Sequence, residues 1–174
     1  FRPSFEDLMS SNKNWKPGFG YANPAMKDGH SRTSELQAYN NGKNTFFAEG
    51  RMDIETRAES KKAVAWDEHR GFTEHVFEFT SDVMNSKEAF SQERGLFMAK
   101  VRCQGAGHHF FGLTTGKPGS PIIALYHYNG DVHQMGLVNG DRSQMVDLTG
   151  MLRSMYYVYS IRWTKDELIW YVND

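Results

Sequence analysis

The sequence predicts an all-β sandwich, and two observations carry this prediction. Almost every patterned segment alternates with a period of two, which is the repeat of a β-strand with one buried face. Turn signals separate these segments at short intervals, among them the Asn-Gly pairs at 41–42, 129–130 and 139–140. Many short strands joined by regular turns favour a sandwich over alternating strands and helices. At 174 residues, the chain has the length of one domain with a core of its own.

The elements follow from the alternation in chain order. A half-exposed strand is predicted where Met52, Ile54 and Thr56 alternate with charged residues, and the run 121–130 is interpreted as a buried strand that enters an Asn-Gly turn. Helical turns are predicted only at 5–10 and 147–154. The other predicted strands carry one alternating set each: His75, Phe77, Phe79; Phe97, Ala99, Val101; Tyr157, Tyr159, Ile161, Trp163; and the short run 168–172.

Charge and cysteine content exclude several classes of protein. The formal net charge of −1 provides no broad basic face for nucleic acid or for an anionic membrane. No apolar run approaches the roughly 20 residues of a membrane-spanning helix. The sequence therefore predicts neither a nucleic-acid partner nor membrane insertion. The single cysteine, Cys103, excludes an internal disulfide framework and lies in a strand-like run, so it is predicted to be a buried structural thiol.

Four motifs, in order along nearly the whole chain, give the sequence its family resemblance. They are Glu35-Leu-Gln-Ala-Tyr39, Arg94-Gly-Leu-Phe-Met-Ala-Lys-Val-Arg102, Gly107-His-His-Phe-Phe-Gly-Leu113 and the stretch 159–174, which ends in Ile-Trp-Tyr-Val-Asn-Asp. Together they resemble the laminarinase-type members of glycoside hydrolase family 16. The resemblance implies a concanavalin A-like jelly roll of two curved antiparallel sheets with a concave glycan cleft.

Further expectations come from the resemblance alone. It implies one glucanase-like domain over 1–174 that stops short of the family's last strand or strands. It also implies an extracellular, periplasmic or cell-surface location. No cofactor is predicted; some members of the family carry a structural calcium ion, but no acid cluster in this sequence is assigned to one.

The main departure from the family lies in the strand 121–130, where the family carries E-x-D-x-x-E. By resemblance, Ile122 stands in place of the nucleophilic Glu, Ala124 in place of the middle Asp, and His127 in place of the acid/base Glu. A retaining glycosidase needs two carboxyl groups about 5 Å apart. The sequence therefore predicts a polysaccharide-binding homologue without catalysis.

The predicted binding residues follow from strand geometry and side-chain chemistry. With the family's β-bulge, residues 122, 124 and 127 face the cleft, whereas without it residue 126 replaces 127. Only one of two adjacent histidines, 108 and 109, can enter the cleft, and an aromatic ring there can stack on a sugar. The candidate binding residues are His109, Phe111, Tyr126, His127, His133 and Trp66, the last in a polar stretch expected between strands.

Two alternatives stay open at this level. One is a divergent glycosidase or lyase with relocated residues, for which Asp131 is the acid in a plausible position and Tyr126 with His127 a conceivable acid–base pair. The other is a structural or interaction domain without sugar binding. The histidines show no metal-binding spacing such as H-x-x-x-H, so no metal site is predicted.

Overall fold

The computed structural model describes residues 5, 13–19, 30–86, 88–114 and 120–174. Strands make up most of them, which confirms the predicted all-β class. Contacts between Cα atoms divide the chain into two compact units, Phe1–Ser91 and Gln92–Asp174. The single domain over 1–174 stays a prediction. Of the helical turn predicted at 5–10, residues 6–10 lie outside the described residues.

The described residues of the first unit form seven strands in three small sheets. Its main sheet has the order β2-β6-β5, with β2 parallel and β5 antiparallel to β6. Strands β3 and β4 form an antiparallel hairpin, and β1 pairs with β7. The strands are β1 Lys16–Pro17, β2 Gln37–Tyr39, β3 Thr45–Ala48, β4 Arg51–Ile54, β5 Arg57–Asp67, β6 Gly71–Ser81 and β7 Met84–Asn85.

The long strand β5 is the longest of the strands that the sequence pattern did not predict. Its sequence, RAESKKAVAWD, is rich in Ala, Glu and Lys, which are depleted in strands. It is held by antiparallel pairing with β6, whose predicted alternation is confirmed: Phe77 is buried and Val76 is exposed. The pairing also places Trp66 inside β5 and not in a loop, so the expected loop platform is wrong.

A buried carboxylate fixes the loop between β2 and β3. Asp82, 8% exposed, accepts hydrogen bonds from the backbone N–H groups of Asn40 (3.1 Å), Gly42 (2.9 Å) and Asn44 (2.6 Å). The hydroxyl of Thr45 donates a fourth bond of 3.0 Å. The N–H of Asn40 is shared with the carbonyl oxygen of Ser81 at 2.9 Å, whereas Asp82 supplies the acceptor for the N–H groups of Gly42 and Asn44.

In the second unit, the part of the chain that the structure describes forms seven strands in two antiparallel sheets, of order β12-β11-β10-β9 and β14-β13-β8. Its core lies between them: Leu125 and Tyr128 of β10 pack with Tyr159 and Ile161 of β13, and all four are almost fully buried. The strands are β8 Gly95–Val101, β9 His108–Thr114, β10 Ile122–Asn129, β11 His133–Asn139, β12 Arg142–Leu148, β13 Tyr157–Trp163 and β14 Leu168–Val172.

Several predictions for this unit are confirmed. Phe97 and the other alternating residues of β8 pack against the core, while Met98 is exposed. Cys103 is a buried free thiol, as expected. Trp170 packs against the core, and its indole N–H donates to the carbonyl of Ala124 at 3.0 Å, which ties the two sheets together.

Two local predictions are wrong. The helical turn at 147–154 does not form, because Asp147 pairs with Gln134 and Leu148 with His133 at the end of β12. Tertiary pairing overrides the local preference there. In β4, Ile54 is 44% exposed, because the strand forms a two-stranded hairpin with β3 among the described residues and does not bury one regular face.

Substitution of Asp82 tests the loop anchor. Asp82→Ala removes four hydrogen bonds to a buried carboxylate, and we expect it to lower the free energy of unfolding by about 3 kcal/mol in urea titrations. Asp53→Ala is the matched control, because Asp53 pairs with Arg51 at a half-exposed site, and its loss should cost less than about 1 kcal/mol. Equal losses in the two variants would contradict the anchoring role.

Candidate functional site

A groove of about 460 Å³ lies on the face of the β9–β12 sheet that points away from the core of the second unit. Strand β10 supplies its centre, and β9, β11 and β12 supply its sides. The residues that line it are Phe110, Ile122, Ala124, His127, Asn129, Gln134, Val138, Ser143 and Met145. Among these described lining residues, none is an acid, a lysine or an arginine.

A β-bulge in β10 decides which side chains reach the groove. Ala124 is paired with Gly112 on one side and with Gly136 on the other, and regular pairing resumes at Tyr126 and His127 after the bulge. Leu125 and Tyr126 therefore both enter the core, at 1% and 2% exposure. The bulged alternative from the sequence is confirmed: residues 122, 124 and 127 share the groove face.

The groove is deep at its centre because three adjacent positions carry almost no side chain. Gly112, Ala124 and Gly136 form a row across β9, β10 and β11. A Cβ at 112 would lie 2.5 Å from the carbonyl oxygen of Ile123, and a Cβ at 136 would lie 2.9 Å from the Cα of Met145. Gly136 also has a φ of +151°, in a region that L residues rarely adopt.

A chain of hydrogen bonds runs across the groove wall from β10 to β12. The Nδ1 atom of His127 lies 3.1 Å from Oε1 of Gln134, whose amide nitrogen donates to the carboxylate of Asp147 at 2.7 Å. The rings of His108 and Phe110 lie on the other side of His127, each 6.4 Å away between centroids.

The protonation of His127 follows from these surroundings. Burial lowers the pKa of His127 below its ordinary value of 6.5, the hydrogen bond to Gln134 opposes this change, and the nearby His108 adds to the lowering. At neutral pH the imidazole is therefore uncharged. An uncharged imidazole has one nitrogen that donates and one that accepts.

The structure brings His127 to the groove but places four other candidates elsewhere in the second unit. His109 and Phe111 lie on the core side of β9, because Tyr128 pairs with His109 and Tyr126 with Phe111. Their neighbours His108 and Phe110 lie on the groove face of β9 instead. Phe110 lines the groove and is 55% exposed.

Tyr126 and His133 belong to the core and do not line the groove. Tyr126 is 2% exposed, and burial raises the pKa of its hydroxyl far above the ordinary value. His133 is 5% exposed and lies between the rings of Tyr126 and Tyr128. Trp66 belongs to the first unit, where its ring packs edge-on against Phe72. The expected acid–base pair of Tyr126 and His127 therefore does not converge, because the two side chains enter opposite faces of β10.

Phe110 and Gln134 are two of the lining residues that sequence reasoning missed. Both share the groove face with His127 through cross-strand pairing, Phe110 on β9 and Gln134 on β11. Cross-strand partners lie on the same face of a sheet. The sequence could have identified these two residues only if the register of β10 with β9 and with β11 had been known.

A second cavity, of about 670 Å³, lies in the first unit between β2, β5 and neighbouring segments. Its lysines already have partners: Lys61 donates to Asn40 Oδ1 at 2.6 Å, and Lys62 pairs with Glu74 at 2.7 Å. We therefore regard it as the weaker candidate. Within the described ranges, no three His, Cys, Asp or Glu side chains gather as a metal site would require, and no helix is long and apolar enough to cross a membrane.

Comparison with known proteins supports the fold. No family model and no curated protein matches the sequence. Among solved structures, the chain is similar to the kappa-carrageenase from Pseudoalteromonas carrageenovora, solved with an oligotetrasaccharide of kappa-carrageenan, with a TM-score of 0.55 and 17% sequence identity. The match covers 82% of this chain and 65% of the enzyme, so the chain spans just under two thirds of its length. The chain thus has an all-β jelly-roll fold like that of a carbohydrate-active enzyme.

The buried histidines predict that acid destabilises the protein. Burial lowers the pKa of His109, His127 and His133, so the folded chain binds fewer protons than the unfolded chain below the ordinary pKa of 6.5. This contribution to stability should therefore be present above that pKa and be lost as the pH falls below it, through the lowered pKa values of the folded chain. Thermal unfolding at several pH values measures this.

His133→Phe isolates one of these groups. The substitution keeps a ring between Tyr126 and Tyr128 but cannot take up a proton, so we expect a smaller decrease in melting temperature on acidification. His69→Gln, which removes an exposed imidazole outside the core, is the matched control. An identical pH dependence in His133→Phe and the unmodified protein would contradict the assignment.

Proposed function

We propose that this chain binds a polysaccharide in the groove of the β9–β12 sheet and does not cleave it. The observation that carries the proposal is the chemistry of the groove wall. Its described lining residues combine an exposed aromatic ring with uncharged hydrogen-bonding side chains and contain no carboxylate.

The groove offers the two kinds of contact that sugars require. The ring of Phe110 is 55% exposed, and an exposed aromatic ring in a concave site can pack on the apolar face of a pyranose. Asn129, Gln134 and Ser143 present amide and hydroxyl groups beside it, which can pair with sugar hydroxyls. The structural neighbour binds an oligosaccharide, which supports the same class of ligand here.

The groove lacks the groups that glycoside hydrolysis uses. A retaining or inverting glycosidase places two carboxyl groups on either side of the scissile bond. By the family resemblance, Ile122, Ala124 and His127 occupy the positions of the three acids, and all three line the groove. The carboxylate of Asp147 accepts a hydrogen bond from Gln134, and Asp131 lies in the exposed turn after β10. These placements support binding without hydrolysis.

A divergent enzyme is the second candidate, and one observation favours it. His127 is uncharged, lies in the groove and is backed by Gln134 and Asp147, an arrangement that could remove a proton from a substrate. A hydrolase would release new reducing ends, and a lyase would release new reducing ends together with unsaturated non-reducing ends. Either product separates an enzyme from a binding module.

We also propose a location outside the cell, which rests on the family resemblance.

Affinity electrophoresis on polysaccharides tests the proposed function. Native gels that contain β-glucans, xylans or galactans, kappa-carrageenan included, should retard the protein on at least one polysaccharide, while parallel assays detect no new reducing or unsaturated ends. Phe110→Ala should weaken binding about tenfold through loss of the stacking surface. Phe46→Ala, a similarly exposed ring in the first unit, should not change it.

The other outcomes contradict the proposal in distinguishable ways. New chain ends would make the protein an enzyme and send the search for its catalytic groups to Asp131 and His127. Migration unchanged on every polysaccharide would favour a structural or interaction domain. Equal weakening by Phe110→Ala and Phe46→Ala would place the binding site outside the groove.

A further inference from the structure

We propose that Gln134 and Asp147 are positioning residues that hold His127 as its Nδ1–H tautomer, so that Nε2 is a fixed hydrogen-bond acceptor for a ligand hydroxyl in the groove. That a sugar hydroxyl is the ligand group rests on the proposed function. The tautomer itself depends only on contacts within the second unit.

Asp147 sets the direction of both hydrogen bonds in the series His127–Gln134–Asp147. An ionised carboxylate can only accept, so the group of Gln134 that faces Asp147 at 2.7 Å must be the amide NH₂. The amide oxygen of Gln134 then faces His127 at 3.1 Å. An amide oxygen can only accept, so the proton must reside on Nδ1 of His127.

The remaining nitrogen of His127 is therefore the acceptor. Nδ1 is committed to Gln134, and Nε2 makes no hydrogen bond to the residues that the structure describes. The side chain of His127 lines the groove, next to Phe110 and across from the row formed by Gly112, Ala124 and Gly136. A hydroxyl of a ring stacked on Phe110 is within the reach of such an acceptor.

The arrangement is built from three different strands of one sheet. His127 pairs directly with Gln134, and Gln134 pairs directly with Asp147, so all three side chains lie on the same face at adjacent strand spacings. The β-bulge in β10 is needed for this, because without it Tyr126 and not His127 would stand on the groove face. The three residues therefore form one unit through the register of the sheet.

Nitrogen-15 NMR of the histidine side chains in the whole protein, at about pH 8, tests the tautomer without any ligand. We expect His127 to be the Nδ1–H form. Asp147→Glu keeps an acceptor and should preserve this form. Asp147→Lys supplies a donor, so the side-chain amide of Gln134 should rotate by half a turn and present its NH₂ to Nδ1 of His127. His127 should then change to the Nε2–H form. Asp141→Lys, the same charge change in the exposed turn after β11, should leave His127 as it is.

Binding to the polysaccharide retarded in the electrophoresis tests the role of the acceptor. Asp147→Lys and Gln134→Leu should each weaken retardation at least tenfold, whereas Asp147→Glu should keep it within about twofold. Loss of binding in all three variants together with an unchanged tautomer would mean a structural role only and would overturn the inference.

The two proposals fail separately. His127 in the Nε2–H form in the unmodified protein, or an unchanged tautomer in Asp147→Lys, overturns the positioning of His127 whatever the protein binds. The Nδ1–H form in a protein that binds no polysaccharide of the panel overturns the proposed function, and with it the hydroxyl as ligand group, but leaves the positioning intact.

Discussion

The groove face of the β9–β12 sheet depends on the β-bulge in β10. A regular strand would send Leu125 to one face and Tyr126 to the other, but the bulge lets both enter the core. Burying these two side chains removes a large apolar area from water, and that gain stabilises the irregular backbone. His127 is thereby displaced onto the outer face, next to strands that supply Phe110 and Gln134.

The shape and the chemistry of the groove come from different residues. Its depth comes from the row of Gly112, Ala124 and Gly136, where close backbone approach leaves no room for larger side chains. Its polarity comes from amide, imidazole and hydroxyl groups at the edges of that row. The combination of an apolar floor, one exposed ring and uncharged polar groups is suited to sugar rings, which are apolar on their faces and polar at their rims.

The family resemblance and the residue patterns contributed differently. The resemblance implied the jelly roll and the position of the active strand, and the structural match supports the fold at an identity too low for sequence comparison alone. The alternation pattern predicted which residues of β6 and β8 are buried, since a period of two depends only on one face being in the core. The resemblance placed the candidate site on β10. The binding residues expected on the neighbouring strand, His109 and Phe111, lie on its core side, one residue out of phase with the groove face.

The family resemblance placed the candidate site on β10. The sequence by itself determined the all-β class, the main strands with apolar alternation and the buried thiol. These features depend on local hydrophobic pattern and composition, which any reader of the chain can measure. Tertiary structure alone decided that charged, alanine-rich β5 is a strand, that β9 presents His108 and Phe110 outward, and that Gln134 and Asp147 stand beside His127. Those outcomes depend on strand register, and a shift of one residue reverses every side chain without changing the local pattern.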